Sequence, residues 1–217
     1  PLFMQPGIKK NPAVKSDIIL EGGSIDSDGQ GTLLTTESCL LNPNRNPQLS
    51  KQDYENLFAS QLGIKKVHWL QYGGIVGDDT DGHIDMLARF CSANTIAISR
   101  CPERNDPHFS ALGKMKAELE KLTDRDGNRY QLVELPIPAA LFNRRNVRLP
   151  ASYCNFLILN KAVLVPVYHD PNDMLACKRL SECFPDREII PVDALTIIKQ
   201  GGSLHCLTMQ LPAGSLK

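Results

Sequence analysis

The chain has 217 residues, of which 42% are hydrophobic and 22% charged, and its 24 basic residues are balanced by 24 acidic ones. That length supports a sizeable core, while a formal net charge of +0 gives no basic field for nucleic acid or an anionic membrane surface. The longest apolar run, Phe156–Leu159 continued after Asn160-Lys161 by Ala162–Val165, is too short to span a bilayer.

Leu2-Phe3-Met4 is too short for the apolar core of a secretory signal. Seven cysteines are scattered without a CxxC pair, which argues against structural zinc and for a reducing compartment. The expected location is therefore the cytoplasm, with most thiols acting as small buried hydrophobes.

Residues 1–16 show no period and hold three prolines, and they read as a linker or extended lead-in. From Asp17 to Cys39 the pattern predicts a hairpin: Ser24-Ile25-Asp26 leads into the turn Ser27-Asp28-Gly29-Gln30-Gly31, and Thr32–Thr36 returns. Asn42–Pro47 is a loop. Leu49–Leu62 is a predicted helix capped by Ser50 with Asp53 reaching back, and Tyr54, Leu57, Phe58 and Leu62 share one face. Gly63 ends it, and Lys66–Leu70 is a strand.

The same order recurs. Gly82–Phe90 and Thr95–Ser99 are predicted strands, His108–Leu122 a helix and Tyr130–Leu135 a strand. Ser152–Leu159 and Ala162–Tyr168 then form a hairpin, Asp170-Pro171 opens a helix to about Cys183, and Arg187–Val192 is a strand. Gly201-Gly202 opens a last predicted strand, Ser203–Gln210, that carries Cys206.

The chain thus reads as α/β, an internal repeat of ββαβ units with a period of roughly 50 to 70 residues. Such units bury their faces only by packing around a common centre, as in a propeller. The opening strands of successive units then meet at the axis and bring together Glu21, His83 with Asp85, and Cys206. On a strand His83 and Asp85 share a face, and His205 points away from Cys206. If the segment is a strand, this argues against His205 as the base for the thiol. Asp78, Asp79 and Asp81 read as a polar turn.

Six segments carry a resemblance in order and nearly end to end: Glu21–Ile25, Leu41–Pro47, Asp79–Asp85, Leu149–Phe156, Cys183–Arg187 and Gly201–Cys206. They resemble agmatine deiminases, which belong to the guanidino-group-modifying enzymes of the five-bladed pentein α/β-propeller fold, together with bacterial peptidylarginine deiminases. The resemblance implies hydrolysis of agmatine to N-carbamoylputrescine and ammonia, within polyamine metabolism, through a covalent thiouronium on Cys206. His83 matches the general acid/base, Glu21 the acid that assists it, and Asp85 the carboxylate that grips the guanidinium. Asp79, Ser203 and Gly202 are further candidates for substrate contact. No metal or organic cofactor is implied, and homo-oligomers occur in the family.

Ser203 and Met86 replace Asn of many relatives, and the N-terminal Trp-x-Arg-Asp-like motif with a second guanidinium anchor is missing. With about three and a half units by the repeat period, the expectation is a single pentein-like domain over 1–217 that lacks the N-terminal part of the family fold. The alternatives are deimination of free or peptidyl arginine, a non-catalytic pentein-like binding module, and a Cys-His peptide hydrolase, for which no oxyanion-hole motif is found.

Overall fold

The computed structural model describes residues 16–210, so nearly all of the predicted lead-in over 1–16 lies outside the described residues. Among the described residues nine strands form three separate three-stranded sheets. In the first, β1 (Ile25–Ser27) runs antiparallel to β2 (Thr32–Thr36), and β2 pairs in parallel with β3 (Lys66–Leu70). The second repeats this with β4 (Ala88–Ser92), β5 (Thr95–Arg100) and β6 (Gln131–Pro136), and the third with β7 (Leu157–Ile158), β8 (Ala162–Val167) and β9 (Glu188–Asp193).

A helix makes the crossover in each unit, because parallel neighbours need a long connection. After the short α1 (Glu37–Leu40) these are α2 (Lys51–Leu62), α3 (His108–Leu119) and α4 (Asp173–Cys183). The predicted ββαβ repeat is therefore present three times, and no strand pairing closes the sheets into a barrel among the described residues.

Local chemistry explains the boundaries. In the first hairpin the Asp28 carboxylate accepts from the backbone N–H of Gln30 (2.7 Å) and Thr32 (2.9 Å), while Gly29 and Gly31 turn through φ of +70° and +101°. Ser50 and Asp53 form the expected capping box on α2, and Gly63 ends it in the left-handed region. Tyr54 and Phe58 are fully buried beneath β2, but Leu62, predicted on the same face, is 51% exposed. In α4 the helix starts at Asp173, beyond Pro171, because the Asp173 carboxylate accepts from the N–H of Tyr168 and Asp170.

Three predicted strands are shortened or replaced. Gly82–Phe90 forms a strand only from Ala88 onward, since Ile84–Met86 is a 3-10 turn. Of Ser152–Leu159 only Leu157–Ile158 pairs, because the backbone before it is held by side chains. Ser152 donates its hydroxyl to Met86 O (2.7 Å) and accepts from the Cys154 N–H. Ser203–Gln210 is not a strand at all: His205–Leu207 is a 3-10 turn whose first two N–H groups are taken by the Asn155 side chain at 2.8 and 3.3 Å. The expected half unit after β9 is thus absent from the described residues, and the alternation argument that turned His205 away from Cys206 does not apply.

Three apolar clusters lie between the sheets and helices, with Leu112, Met115 and Leu119 of α3 in one and Ala176 and Leu180 of α4 in another. The units join through a buried polar hub. Arg89 on β4 donates from Nε to Asp26 on β1 (2.6 Å) and from Nη1 to Phe156 O before β7 (3.1 Å), and it stacks 5.2 Å over the Phe156 ring. Asp26 also accepts from the Phe90 N–H. The opening strands of the three units therefore do converge. Among the described residues no helix is long and apolar enough to cross a membrane.

Candidate active site

Four segments meet at one open cavity of about 1390 Å³: Glu21–Gly23, Asp79–Asp85, the β7–β8 hairpin and Gln200–Gln210. Glu21, His83, Asp85 and Cys206 all line it, although they span most of the described sequence.

Asp85 sits at the centre of the cluster. It is fully buried in the 3-10 turn Ile84–Met86. Its Oδ2 lies 2.8 Å from His205 Nδ1 and accepts from the Cys206 thiol at 3.6 Å. Its Oδ1 is buried with no hydrogen-bond partner. A buried carboxylate with one unused oxygen is costly unless a ligand completes it.

His83 precedes that turn. Its backbone N–H donates to Thr80 Oγ1 (3.2 Å), the residue is 8% exposed, and its Nε2 is also buried without a partner. Both side chains press on Gly23, where an added Cβ would stand 2.6 Å from His83 Nδ1 and 2.8 Å from Asp85 Oδ2. The glycine before β1 therefore leaves room for these two side chains.

Cys206 is placed by Asn155, which is fully buried. Its Oδ1 accepts from the N–H groups of His205 and Cys206, and its Nδ2 donates to Cys206 Sγ at 3.2 Å. On the other side the thiol packs on Gly202, where a Cβ would be 2.7 Å from the Cys206 Cβ. Cys206 is exposed as a residue, but partial desolvation of its sulfur and then the negative charge of Asp85 push the thiol up to about 11, against smaller opposing hydrogen bonds from the Ser203 backbone and Asn155.

Glu21 lies at the rim, 3.7 Å from His83 Nε2 through its Oε1, too far for a hydrogen bond. Its principal partner is Arg45, whose Nε donates to both carboxylate oxygens at 3.0 and 2.8 Å. The same guanidinium donates to Asp81 Oδ2 (2.8 Å) and Thr80 O (2.9 Å). The Arg45 hydrogen bond holds both Glu21 and Asp81 below the usual carboxylate range, with Asn44 adding to the effect at Asp81. Asp81 adopts φ of 65°, in the left-handed region, and this contact holds it there.

The structure thus brings Cys206, His83, Asp85, Glu21 and Gly202 to one place. Asp79 is exposed on the cavity wall, and a Cβ on Gly201 would lie 3.4 Å from its Oδ1. Ser203 is fully buried, with its hydroxyl 3.0 Å from Tyr168 Oη rather than in the cavity. Sequence reasoning gave no role to Arg45, Asn155 or His205. Each had a signal: a lone arginine in an Asn/Pro loop between acidic segments, an asparagine inside an apolar run, and a histidine beside the thiol.

The arrangement sets a thiol beside a buried carboxylate in an open cavity. The sequence matches the family described as Porphyromonas-type peptidyl-arginine deiminase over residues 5–212, and the chain belongs to that family. A curated protein of Lactococcus lactis subsp. lactis named "Putative agmatine deiminase" is 39% identical over 212 residues, covering 90% of this chain and 58% of that protein. The solved structure of a cysteine-to-serine variant of C. jejuni agmatine deiminase with substrate bound is 48% identical. It superposes with a TM-score of 0.83 and covers 88% of this chain and 55% of its own. An agmatine deiminase of Enterococcus faecalis, described as catalysing its reaction, is 36% identical with a TM-score of 0.84, covering 91% of this chain and 58% of that chain. The fold is that of the pentein-superfamily deiminases. The chain spans less than two thirds of the length of these relatives.

Proposed function

We propose that this site performs hydrolytic deimination of agmatine, giving N-carbamoylputrescine and ammonia. The observation that carries the reading is Asp85, a buried carboxylate whose Oδ2 lies 3.6 Å from a cavity thiol while its Oδ1 has no partner. A planar guanidinium would satisfy that oxygen through paired N–H donors. Its carbon would then be presented to Cys206 Sγ.

The electrostatics favour a cationic substrate. In the free protein Asp85 works against the thiolate. A bound guanidinium cancels that charge, so the nucleophile ionises when substrate is present. The thiolate attacks the guanidinium carbon and a C–S bond forms. His83 protonates the departing nitrogen, the C–N bond breaks and ammonia leaves. The neutral imidazole then takes a proton from water, which attacks the thiouronium, and cleavage of the C–S bond returns the thiolate. Asn155 holds the sulfur in line, and Glu21 keeps a negative charge near the His83 ring.

Cys206, His83 and Glu21 are the proposed catalytic residues, with Asp85, Asp79 and Gly202 as substrate-site residues; Ser203, whose hydroxyl meets Tyr168 outside the cavity, is left to a supporting role. Free or peptidyl arginine is the second substrate reading, favoured by the description of the matched family and by the breadth of the cavity. Incubation with agmatine, arginine and an arginyl peptide, with assay of ammonia and ureido product, separates these. Agmatine should be turned over, and Cys206→Ser should lower kcat on the order of 10⁴-fold or more. Turnover retained in that variant would remove Cys206 from the mechanism.

A further inference from the structure

We propose that Glu21, Cys39 and His83 form a binding site for a thiophilic divalent cation of the zinc class, and that filling it switches off the reaction proposed above by engaging His83. The inference rests on that reading only for its inhibitory consequence; the site itself stands on geometry.

Cys39 belongs to α1, Glu21 precedes the first 3-10 turn and His83 the second, so the cluster joins three segments that no sequence spacing connects. One ligand atom from each lies within 4.8 Å of the other two. Tetrahedral zinc with bonds of about 2.0 to 2.3 Å sets its ligands roughly 3.5 Å apart. His83 Nε2 and Glu21 Oε1 are already 3.7 Å apart. That separation breaks a hydrogen bond but suits two ligands sharing an ion.

The second observation is the state of the imidazole. His83 Nε2 is buried and has no partner, and the residue as a whole is 8% exposed. A thiol, a carboxylate oxygen and an unpaired imidazole nitrogen are the donor types that zinc prefers. The Cys39 thiol is fully buried and its proton would pass to solvent as the Zn–S bond forms. Arg45, which pairs with Glu21 and Asp81, opposes a cation here, but its single charge is exceeded by those two carboxylates and the Cys39 thiolate that metal binding would create. Glu21 keeps acceptor capacity beyond its Arg45 contacts, since a carboxylate offers about four lone-pair sites. Glu21 and His83 line the open cavity, so a fourth ligand, water, would reach the ion from that side. With Nε2 on the ion, His83 carries no proton to the leaving nitrogen.

The test uses Co²⁺ as a spectroscopic probe. Titration should give one equivalent of bound cobalt with a sulfur-to-cobalt charge-transfer band. Cys39→Ser should abolish the band, Cys206→Ser should retain it, and Zn²⁺ should displace the cobalt. Absence of the band in wild type, or its loss in Cys206→Ser with retention in Cys39→Ser, overturns the site.

Thermal melting checks that Cys39→Ser folds. If it does not, His83→Ala should weaken cobalt binding at least tenfold with Cys39 intact, and unchanged affinity overturns the proposal. Activity is read separately, as the ratio with and without Zn²⁺ within each protein. Wild type should be inhibited and recover on chelation, and the zinc needed for half inhibition should rise at least tenfold in Cys39→Ser. An unchanged requirement overturns the inhibitory role. A protein inactive on every guanidine would sink the deiminase reading while the cobalt band still decides the site.

Discussion

Two buried polar clusters occupy the convergence of the three units, and they are finished in opposite ways. In the Asp26–Arg89 hub no buried polar atom is left without a partner: the guanidinium is shared between β1 and the backbone before β7, and the carboxylate also accepts the Phe90 N–H. In the cavity, His83 Nε2 and Asp85 Oδ1 are buried and unused. The first cluster is complete by itself and joins elements. In the reading proposed above a bound substrate completes the second, because an unsatisfied buried polar group costs about 1 to 3 kcal/mol. The difference teaches what each cluster can do: the hub contributes to folding, and the cavity has donors and acceptors to spare, which the proposed function assigns to substrate.

The largest expected effect breaks the hub. Arg89→Met keeps length and apolar packing but strands the Asp26 carboxylate. Removing one partner of a buried pair costs about 3 to 5 kcal/mol, a fall in Tm of roughly 10 °C for a chain this size. Asp26→Leu combined with Arg89→Met should recover much of it, since neither charge is then buried. A single variant melting within about a degree of wild type would show that the hub joins nothing.

Next comes Asp85→Asn, which acts on the other side of the comparison. Asparagine fits the same space without a buried charge, so the melting temperature should hold or rise. The anionic grip is lost, and kcat/KM for a guanidine should fall on the order of a hundredfold. A large stability loss with unchanged kinetics would make Asp85 a second structural hub.

The repeat was legible because its signals are local. The Asp28-Gly29 turn, the Ser50 capping box, the Gly63 stop and the apolar spacing of α3 all act within a few residues. The misread segments are those whose backbone is satisfied from far away. Asn155 takes the N–H groups of His205 and Cys206 from 50 and 51 residues off, which turns a predicted strand into a 3-10 turn. Of the site, Cys206, His83, Asp85 and Glu21 were visible as reactive types at matching points of the repeat. Arg45 was not, since its bonds to Glu21, Asp81 and Thr80 exist only once the first two units pack. Long-range polar contacts have no period, so periodicity could not find them.

The smallest effect is also the sharpest, because it follows the cavity charge directly. Alkylation requires the thiolate, and in the free protein burial and Asp85 hold the thiol up to about 11. The rate with neutral iodoacetamide should therefore rise with pH through that value. A chloroacetamidine reagent brings its own cation into the slot beside Asp85, so its apparent midpoint should lie lower. In Asp85→Asn the iodoacetamide midpoint should fall, because the anion that opposed ionisation is gone, and the two reagents should converge. Stopped-flow alkylation of Cys206 across pH, with mass spectrometry to separate it from the other cysteines, reads both. Identical midpoints for the two reagents in wild type would mean that Asp85 does not receive the cation. The unused oxygen would then belong to the frame of the cavity and not to its ligand.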